Sequence, residues 1–368
     1  GDMHAARLVR EMKARDPEIR FWGIGGDELR AEGVEILHDV REMAVLGIVE
    51  VLRRYSFFKR VFNEMLAYAE ERHPDLVLLV DYPGFNLRFA EQARKMNLKV
   101  AYYICPQVWA WHRSRIGKMA RIVDRLLVIF PFEVEVFRGT GLKTDFVGHP
   151  LVEATHEALS APAQELPWQG EPRVALLPGS RRQEVERILP SMWQAAGVLE
   201  KKNPSMSFIV AAPGEEIAEL AQSVLRETSG GPSRACVVTG KTREILRQAR
   251  AAMVASGTAT VETALMGCPM IVVYRTSWAT YWLGRMLIQV PFLGMVNLVA
   301  GRALCPEFIQ GAAVPANMAA AIEALLPEGP ERSAMISGLQ EVRAALSKKA
   351  ENAGAAELLW QELSQDEE

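Results

Sequence analysis

Residues 76–104 read LVLLVDYPGFNLRFAEQARKMNLKVAYYI. Five apolar residues, Leu76–Val80, run without a polar break. A polar turn from Asp81 to Gly84 follows, then an amphipathic stretch, Phe85–Met96, then a second apolar run, Lys99–Ile104. A strand apolar on both faces must be covered on both, and two such strands joined by a helix are the pattern of a parallel sheet. The pattern extends outward in both directions. Strand-like runs at Arg20–Ile24, Leu126–Phe130 and Asp145–Val147 alternate with helical stretches at Phe57–Arg72 and Trp111–Ile122. From Ala154 to Pro172 the composition turns to Ala, Pro, Gln and Gly, which reads as a linker. Beyond it the alternation restarts, with strands at Arg173–Leu177, Ser207–Ala212, Cys236–Val238, Ala251–Ala255 and Met270–Tyr274 and helices from Gln183, Glu215, Thr242 and Thr258. The fold class is therefore α/β, in two similar parallel-sheet halves. From Pro315 the pattern is helical, at Asn317–Leu326, Met335–Ala345 and Glu351–Leu363. The expected domains are 1–160, 161–330 and a helical tail, 331–368, placed against the N-terminal domain.

Composition bounds the function. At about 150 residues per domain, 368 residues make two to two-and-a-half domains. Hydrophobic residues at 49% and charged residues at 24% are globular values, not those of a disordered chain. The formal charge, 42 − 45 = −3, excludes a mainly electrostatic nucleic-acid binder. Cys105, Cys236, Cys268 and Cys305 have no CxxC spacing, so neither a disulfide framework nor a zinc site is indicated, and a reducing cytoplasm is the simpler compartment. The most apolar segment, Trp278–Val299, carries Arg285 and is interrupted by Gly284, Pro291 and Gly294; it is rejected as a membrane span but suits an interfacial helix. The opening Gly1-Asp2-Met3-His4 has no signal-peptide character and leads into a helix with Leu8, Val9 and Met12 inward and Asp2 as its N-cap.

Four strand ends are polar in ways that a plain turn does not need, and strand carboxyl ends are where open parallel sheets bind ligands. Asp81 follows the first run and is either a general base or a cap for the helix behind it. In Leu177-Pro178-Gly179-Ser180-Arg181-Arg182 the Gly179 and Ser180 amides would be free at a helix N-terminus, with Arg181 or Arg182 to clamp a phosphate; the alternative is an ordinary cap. Ser256-Gly257-Thr258-Ala259-Thr260-Val261-Glu262 reads either as a capping box or as a second phosphate loop with Glu262 on a ribose diol. Two such loops in one half fit a pyrophosphate nucleotide. The fourth end, Cys105–Arg115, offers Trp109 and Trp111 as a sugar or acyl platform or as core. His112 has no nucleophile motif beside it, and His149 reads as a hinge marker. No GxSxG, HExxH, P-loop or carboxylate metal cluster occurs.

DYPGFN, ICPQVWAWHRSR, VIFPFE, FVGHP, LLPGSRRQEV, ASGTATVE, VVYR and MVNLVAGR, in this order over nearly the whole chain, resemble the lipid-A-disaccharide synthase family of inverting glycosyltransferases. The resemblance implies the GT-B fold, two Rossmann-like domains facing across a cleft with a C-terminal helical tail. It implies transfer of 2,3-diacylglucosamine from UDP-2,3-diacylglucosamine to the 6-hydroxyl of 2,3-diacylglucosamine 1-phosphate (lipid X), without a cofactor or metal. It implies Asp81 as base, Arg181 and Asn297 near the nucleotide, and Gly179, Ser180, Ser256, Gly257, Thr258, Ala259, Thr260, Glu262, Tyr274 and Arg275 on the nucleotide-sugar side. For the acceptor or its acyl chains it leaves Asn86, Gln107, Trp109, Met43 and Val45. Peripheral association with the cytoplasmic face of a Gram-negative inner membrane, through Met43–Leu52 or Trp278–Val299, is implied as well, as is a homodimer with exchanged C-terminal segments. Family members begin with an apolar strand and a Gly-Glu-x-Ser-Gly-Asp loop, so the resemblance also expects that strand, and the loop's Glu and Ser, ahead of Gly1.

Two other classes share parts of the pattern. Another UDP-sugar enzyme of the same fold, a UDP-N-acetylglucosamine 2-epimerase or a peptidoglycan-precursor glycosyltransferase, has the two halves and a nucleotide Glu, but matches VWAWHRSR and LVAGR less well. A non-catalytic nucleotide-sugar or lipid-binding module would not need Asp81 at a strand end.

Overall fold

The computed structural model describes residues 1–43, 55–111, 114–287, 290–347 and 353–364. The chain divides into two compact units, residues 1–149 with 348–368, and residues 150–347.

Unit 1 is built on parallel strands. β1 (Trp22–Gly25) pairs β2 (Glu35–Asp39), and β3 (Val77–Val80), β4 (Val100–Tyr103), β5 (Arg125–Val128) and β6 (Lys143–Phe146) form a second sheet in that order. β4 and β5 are buried throughout whereas the flanking strands are partly open, as expected of a sheet whose middle is covered on both faces. Helices Tyr55–Arg72 and Pro83–Lys95 supply Val61, Met65, Leu87 and Phe89 to that core. The helix Ala355–Ser364 returns from the far end of the chain to this unit. Glu362, buried, bonds Arg125 Nε at 2.9 Å, and its carbonyl accepts Lys99 Nζ at 2.6 Å. The first helix, Asp2–Arg15, turns Leu8, Val9 and Met12 inward, but Asp2 is not its N-cap: its carboxylate accepts the Gly26 and Glu28 amides and so caps the helix Asp27–Ala31.

Unit 2 holds a six-stranded parallel sheet in the order β12-β11-β10-β7-β8-β9. Its members are β7 (Arg173–Leu177), β8 (Ser207–Ala212), β9 (Ala235–Thr239), β10 (Ala251–Ala255), β11 (Met270–Tyr274) and β12 (Glu307–Ile309). The chain lays β8 and β9 to one side of β7, then returns to lay β10, β11 and β12 on the other. The strand order thus reverses between β7 and β10, and the crevice beyond their carboxyl ends is where such a sheet takes ligands. Val174, Leu176, Ile209, Val210, Met253, Val254 and Ile271, each fully buried, make the sheet's core.

The structure departs from the expected linker. Residues 151–160 are a helix, Leu151–Ser160, with Leu151 and Thr155 buried and its last carbonyls accepting Arg247 Nη1. Leu, Ala and Glu in that run form helix readily, and an apolar side to bury it completes the reason. The helix Pro330–Leu346, expected in the tail, belongs to unit 2.

Candidate functional site

In unit 2, β7 and β10 pair with Val254 level with Leu177, so the two glycine loops leave the sheet side by side at the reversal. They are not alike. After β7, Gly179 has φ +113° and the helix Arg182–Lys202 begins at once. Glu184, in its first turn, folds back: its carboxylate accepts the Ser180 and Arg181 amides at 3.1 and 3.3 Å and pairs Arg181 Nη1 at 2.9 Å. The Ser180 amide expected to be free is therefore occupied, because a capping-box glutamate supplies a carboxylate within the same turn. Arg182 pairs Glu186 on the helix surface.

After β10 the amides of Gly257, Thr258 and Ala259 have no partner among the described residues. Gly257, at φ +142°, is the N-cap of the helix Thr258–Leu265. Glu262 lies beyond capping reach and instead accepts Arg243 Nε at 2.8 Å. Thr260 is fully buried and bonds the Gly257 carbonyl, so the structure removes it from the expected ligand contacts. Ser256 Oγ donates to the Leu293 carbonyl at 2.8 Å, tying this loop to the segment that precedes the helix Met295–Ala300.

Asn297 is likewise corrected. It is fully buried, its Nδ2 donates to the Cys305 carbonyl (2.8 Å) and to Glu307 Oε1 (2.9 Å), and its Oδ1 accepts the Cys305 amide (2.8 Å). A short helix packed against the entry to β12 leaves no face of this amide for a ligand. Glu307, which sequence reasoning missed, accepts the Leu293 and Gly294 amides and completes the clamp. Tyr274 ends β11 and Arg275 follows it, both half-buried. The next backbone group, Thr276, is held in both directions by the buried Gln310 side chain at 2.8 and 3.0 Å, a second residue without a sequence signal.

In unit 1, Asp81 stands at the carboxyl end of β3. Asp81 and Tyr82 both have positive φ, +49° and +43°, and Ile104 at the end of the neighbouring β4 has φ +63°. Three neighbouring residues in left-handed backbone, one of them β-branched, are costly and persist only where surrounding bonds fix them. Here Tyr102 Oη and Asn86 Nδ2 both donate to the Asp81 carbonyl, and Asn86 also reaches the Val80 carbonyl at 3.1 Å. Asn86 thus fixes backbone with the donors expected to meet the acceptor. The Asp81 carboxylate is exposed and makes no hydrogen bond among the described residues; the helix Pro83–Lys95 has Tyr82 as N-cap with no side-chain cap. The capping alternative does not describe this structure.

Gln107 is exposed just beyond β4, whereas Trp109 is buried, edge-on to Phe132 at 4.9 Å. Trp109 is thus core rather than platform. Its Nε1 donates at 3.0 Å to Glu133, whose other oxygen accepts the Phe130 amide at 3.1 Å. Burial pushes the Glu133 carboxyl up to about 7, against the pull of those bonds. His149 lies buried with its ring 5.1 Å from Phe130, and burial pushes it down to about 3, so it stays neutral. Met43 is buried and its carbonyl faces Tyr82 Oη at 3.5 Å. Val45 and His112 lie outside the described residues. Of the segment 278–299, Trp278 and Trp282 stand exposed on the helix Trp278–Leu287, while Met295 and Val296 are core. No helix among the described residues is long and apolar enough to cross a membrane, and no three His, Cys, Asp or Glu side chains among them group to hold a metal ion.

The architecture and sequence both have known counterparts. The fold is similar to UDP-GlcNAc 2-epimerase from Neisseria meningitidis bound to UDP-GlcNAc (TM-score 0.64, 12% identity, 99% of this chain and 96% of that one). It is also similar to CalG4, the calicheamicin glycosyltransferase (TM-score 0.59, 15% identity, 98% and 95%). At such identities the likeness is one of fold alone, the GT-B fold. In sequence the chain is 40% identical over 361 residues to the lipid-A-disaccharide synthase of Myxococcus xanthus (strain DK1622), covering 97% of this chain and 93% of that one. The family model for lipid-A-disaccharide synthetase matches residues 1–360, spanning all three sheets and every loop described above, and the chain belongs to that family.

Proposed function

We propose that unit 2 holds the UDP of the donor at the carboxyl ends of β7 and β10, and that Asp81 in unit 1 takes the proton of the acceptor hydroxyl. The overall reaction is the family's. The 2,3-diacylglucosamine of UDP-2,3-diacylglucosamine passes to the 6-hydroxyl of lipid X, giving the disaccharide 1-phosphate and UDP. In an inverting transfer the hydroxyl oxygen attacks the anomeric carbon as the bond to the pyrophosphate breaks on the opposite face. The hydroxyl proton goes to Asp81, and the charge that develops on UDP goes to donors already in place. The open Gly257, Thr258 and Ala259 amides and the guanidinium of Arg181 suit that charge, Glu262 suits a ribose diol, and Tyr274 and Arg275 border the same end of the sheet.

The observation that carries the reading is the Asp81 carboxylate, presented at a strand end by a backbone in left-handed conformation and unbonded among the described residues. The exposed Trp278 and Trp282, with Tyr281 and Arg285 bonded beside them, suit a lipid interface, as acylated substrates require. An exchanged dimer would remake the Arg125–Glu362 pair between two chains.

The test is UDP release from UDP-diacylglucosamine and lipid X. Asp81→Asn is expected to lower kcat by about 10²–10⁴-fold, the range of a lost general base, with UDP affinity kept. Wild-type turnover in Asp81→Asn would remove the base assignment. No UDP from the unmodified protein would overturn the function.

A further inference from the structure

We propose that Tyr102 is a positioning residue for the Asp81 base: together with Asn86 it holds the Asp81 carbonyl, and through that carbonyl it sets where the carboxylate points. The proposal rests on the role given to Asp81 above.

β4 lies beside β3 with Tyr102 level with Leu79 and Tyr103 level with Val80. Asp81 is one residue past the end of β3, and both of its backbone groups are gripped. Its amide donates to the Tyr103 carbonyl at 3.3 Å. Its carbonyl accepts from two side chains, Tyr102 Oη and Asn86 Nδ2, the latter at 2.7 Å. A carbonyl oxygen has two lone pairs, so this one is fully used. Asn86 stands in the first turn of the helix Pro83–Lys95 and also reaches the Val80 carbonyl at 3.1 Å. The end of β3, the neighbouring β4 and the following helix thus meet at a single peptide group.

The backbone held there is otherwise unfavourable. Asp81 and Tyr82 have φ +49° and +43°, and neither is glycine. Tyr82 also precedes Pro83, a position that favours extended backbone. Without its bonds the turn relaxes toward extended backbone, since such conformations persist only where their surroundings fix them. Extended backbone would continue the two-residue alternation of β3 and put residue 81 on the same face as the buried Leu79. The left-handed turn takes the side chain out of that alternation, and Asp81 is exposed.

Tyr102 is fitted to this one task. The residue is fully buried, and burial pushes its phenol up, so it stays a protonated donor. A phenylalanine would fill the same core; the hydroxyl serves the Asp81 carbonyl. Tyr103, the next residue and on the opposite face of the sheet, is the contrast. It is buried as well, but its hydroxyl makes no hydrogen bond among the described residues.

A double-mutant cycle on UDP release tests this. Tyr102→Phe removes the hydroxyl and keeps the ring. It should lower kcat about ten- to a hundredfold, as a misplaced reacting group does, with KM for lipid X within about threefold of wild type. Asn86→Ala, which removes the other donor, should do the same. In Asp81→Asn protein neither change should cost more than about twofold further, because no base is left to position. Tyr103→Phe, the same deletion one residue along, should keep wild-type kcat. Circular dichroism and calorimetric UDP affinity should match wild type in every variant. Wild-type kcat in Tyr102→Phe overturns the proposal. An equal loss with and without the Asp81 carboxylate also overturns it, because Tyr102 would then act on the fold at large. A rise in KM alone overturns it too, because the lost contact would then be one with the acceptor. Wild-type turnover in Asp81→Asn is a distinct failure, that of the base assignment, whereas an impaired Asp81→Asn beside an unimpaired Tyr102→Phe sinks the positioning role alone.

Discussion

Asn297→Ala separates a structural amide from a ligand contact. The side chain makes three bonds of 2.8–2.9 Å, to both backbone groups of Cys305 and to Glu307, all at a fully buried position. At about 1 kcal/mol net per bond, plus about 1 kcal/mol or more for leaving the buried Cys305 groups without partners, the loss is about 4 kcal/mol. That is a large part of the roughly 5–15 kcal/mol that holds a typical domain. Because the chain has two units, a single melting curve does not report one equilibrium, and local opening is the better readout. Amide hydrogen exchange across residues 293–309 is expected to accelerate about a thousandfold in the variant, with UDP affinity by calorimetry falling only as far as this segment opens. Wild-type exchange together with a tenfold or greater loss of UDP affinity would refute the reasoning, since the amide would then have to meet the nucleotide.

Three further outcomes follow from the same contacts. Gly257→Ala places a Cβ on backbone at φ +142°, where no neighbour lies within 4 Å, so any effect is conformational: about 1–3 kcal/mol of strain at the open amides and UDP affinity reduced about tenfold or more by calorimetry. Glu133, raised by burial from its ordinary value of 4.5 to about 7, holds its proton more tightly folded than unfolded. Its contribution to stability is complete below about pH 4.5 and is lost as pH rises through about 7. The shift corresponds to about 3 kcal/mol, so Glu133→Gln should flatten that part of the stability–pH curve of unit 1. Glu362→Gln leaves the buried Arg125 with Asp145 alone, at 3.0 Å; about 2–3 kcal/mol should be lost, below the range for an abandoned buried charge, and limited proteolysis within residues 353–364 should quicken.

What could be read from the sequence was set by how much apolar surface each element buries. Six of the ten expected strands, β4, β5, β7, β8, β10 and β11, are buried nearly throughout, and continuous burial on both faces leaves few alternatives. β2 and β12 escaped for the opposite reason: EILHD and EFI are short, polar at an end and only half-buried, so their pairing is decided by neighbours elsewhere in the chain. The helix Leu151–Ser160 was hidden by a Pro- and Gly-bearing stretch that starts only after it. In the site, Asp81 was legible because it ends an apolar run. Gln310, Glu307 and Arg243 were not, because each bonds a group 13 to 34 residues away, and no local pattern encodes such a contact.

The two glycine loops show how far local sequence carries. GSRRQE and GTATVE place a glutamate five residues after the glycine in both, and GTATVE, with hydroxyls at the turn, reads as the better candidate for a self-capped helix. The structure assigns the roles the other way round, and the difference is where each helix begins. After Gly179 two more residues pass before the helix, so Glu184 falls in the first turn and closes the cap on its own amides. Gly257 is itself the cap, so Glu262 falls a turn too far along and turns to Arg243, while Thr260, where a capping glutamate would have to be, commits its hydroxyl to the Gly257 carbonyl. The Ser180 and Arg181 amides of one loop are thereby satisfied from within, and the other loop is left, among the described residues, with unpaired donors at a helix N-terminus. Donors that no described residue satisfies are the ones an anion can reach without displacing a carboxylate, so the UDP of the proposed function is expected to meet the loop after β10 before the loop after β7.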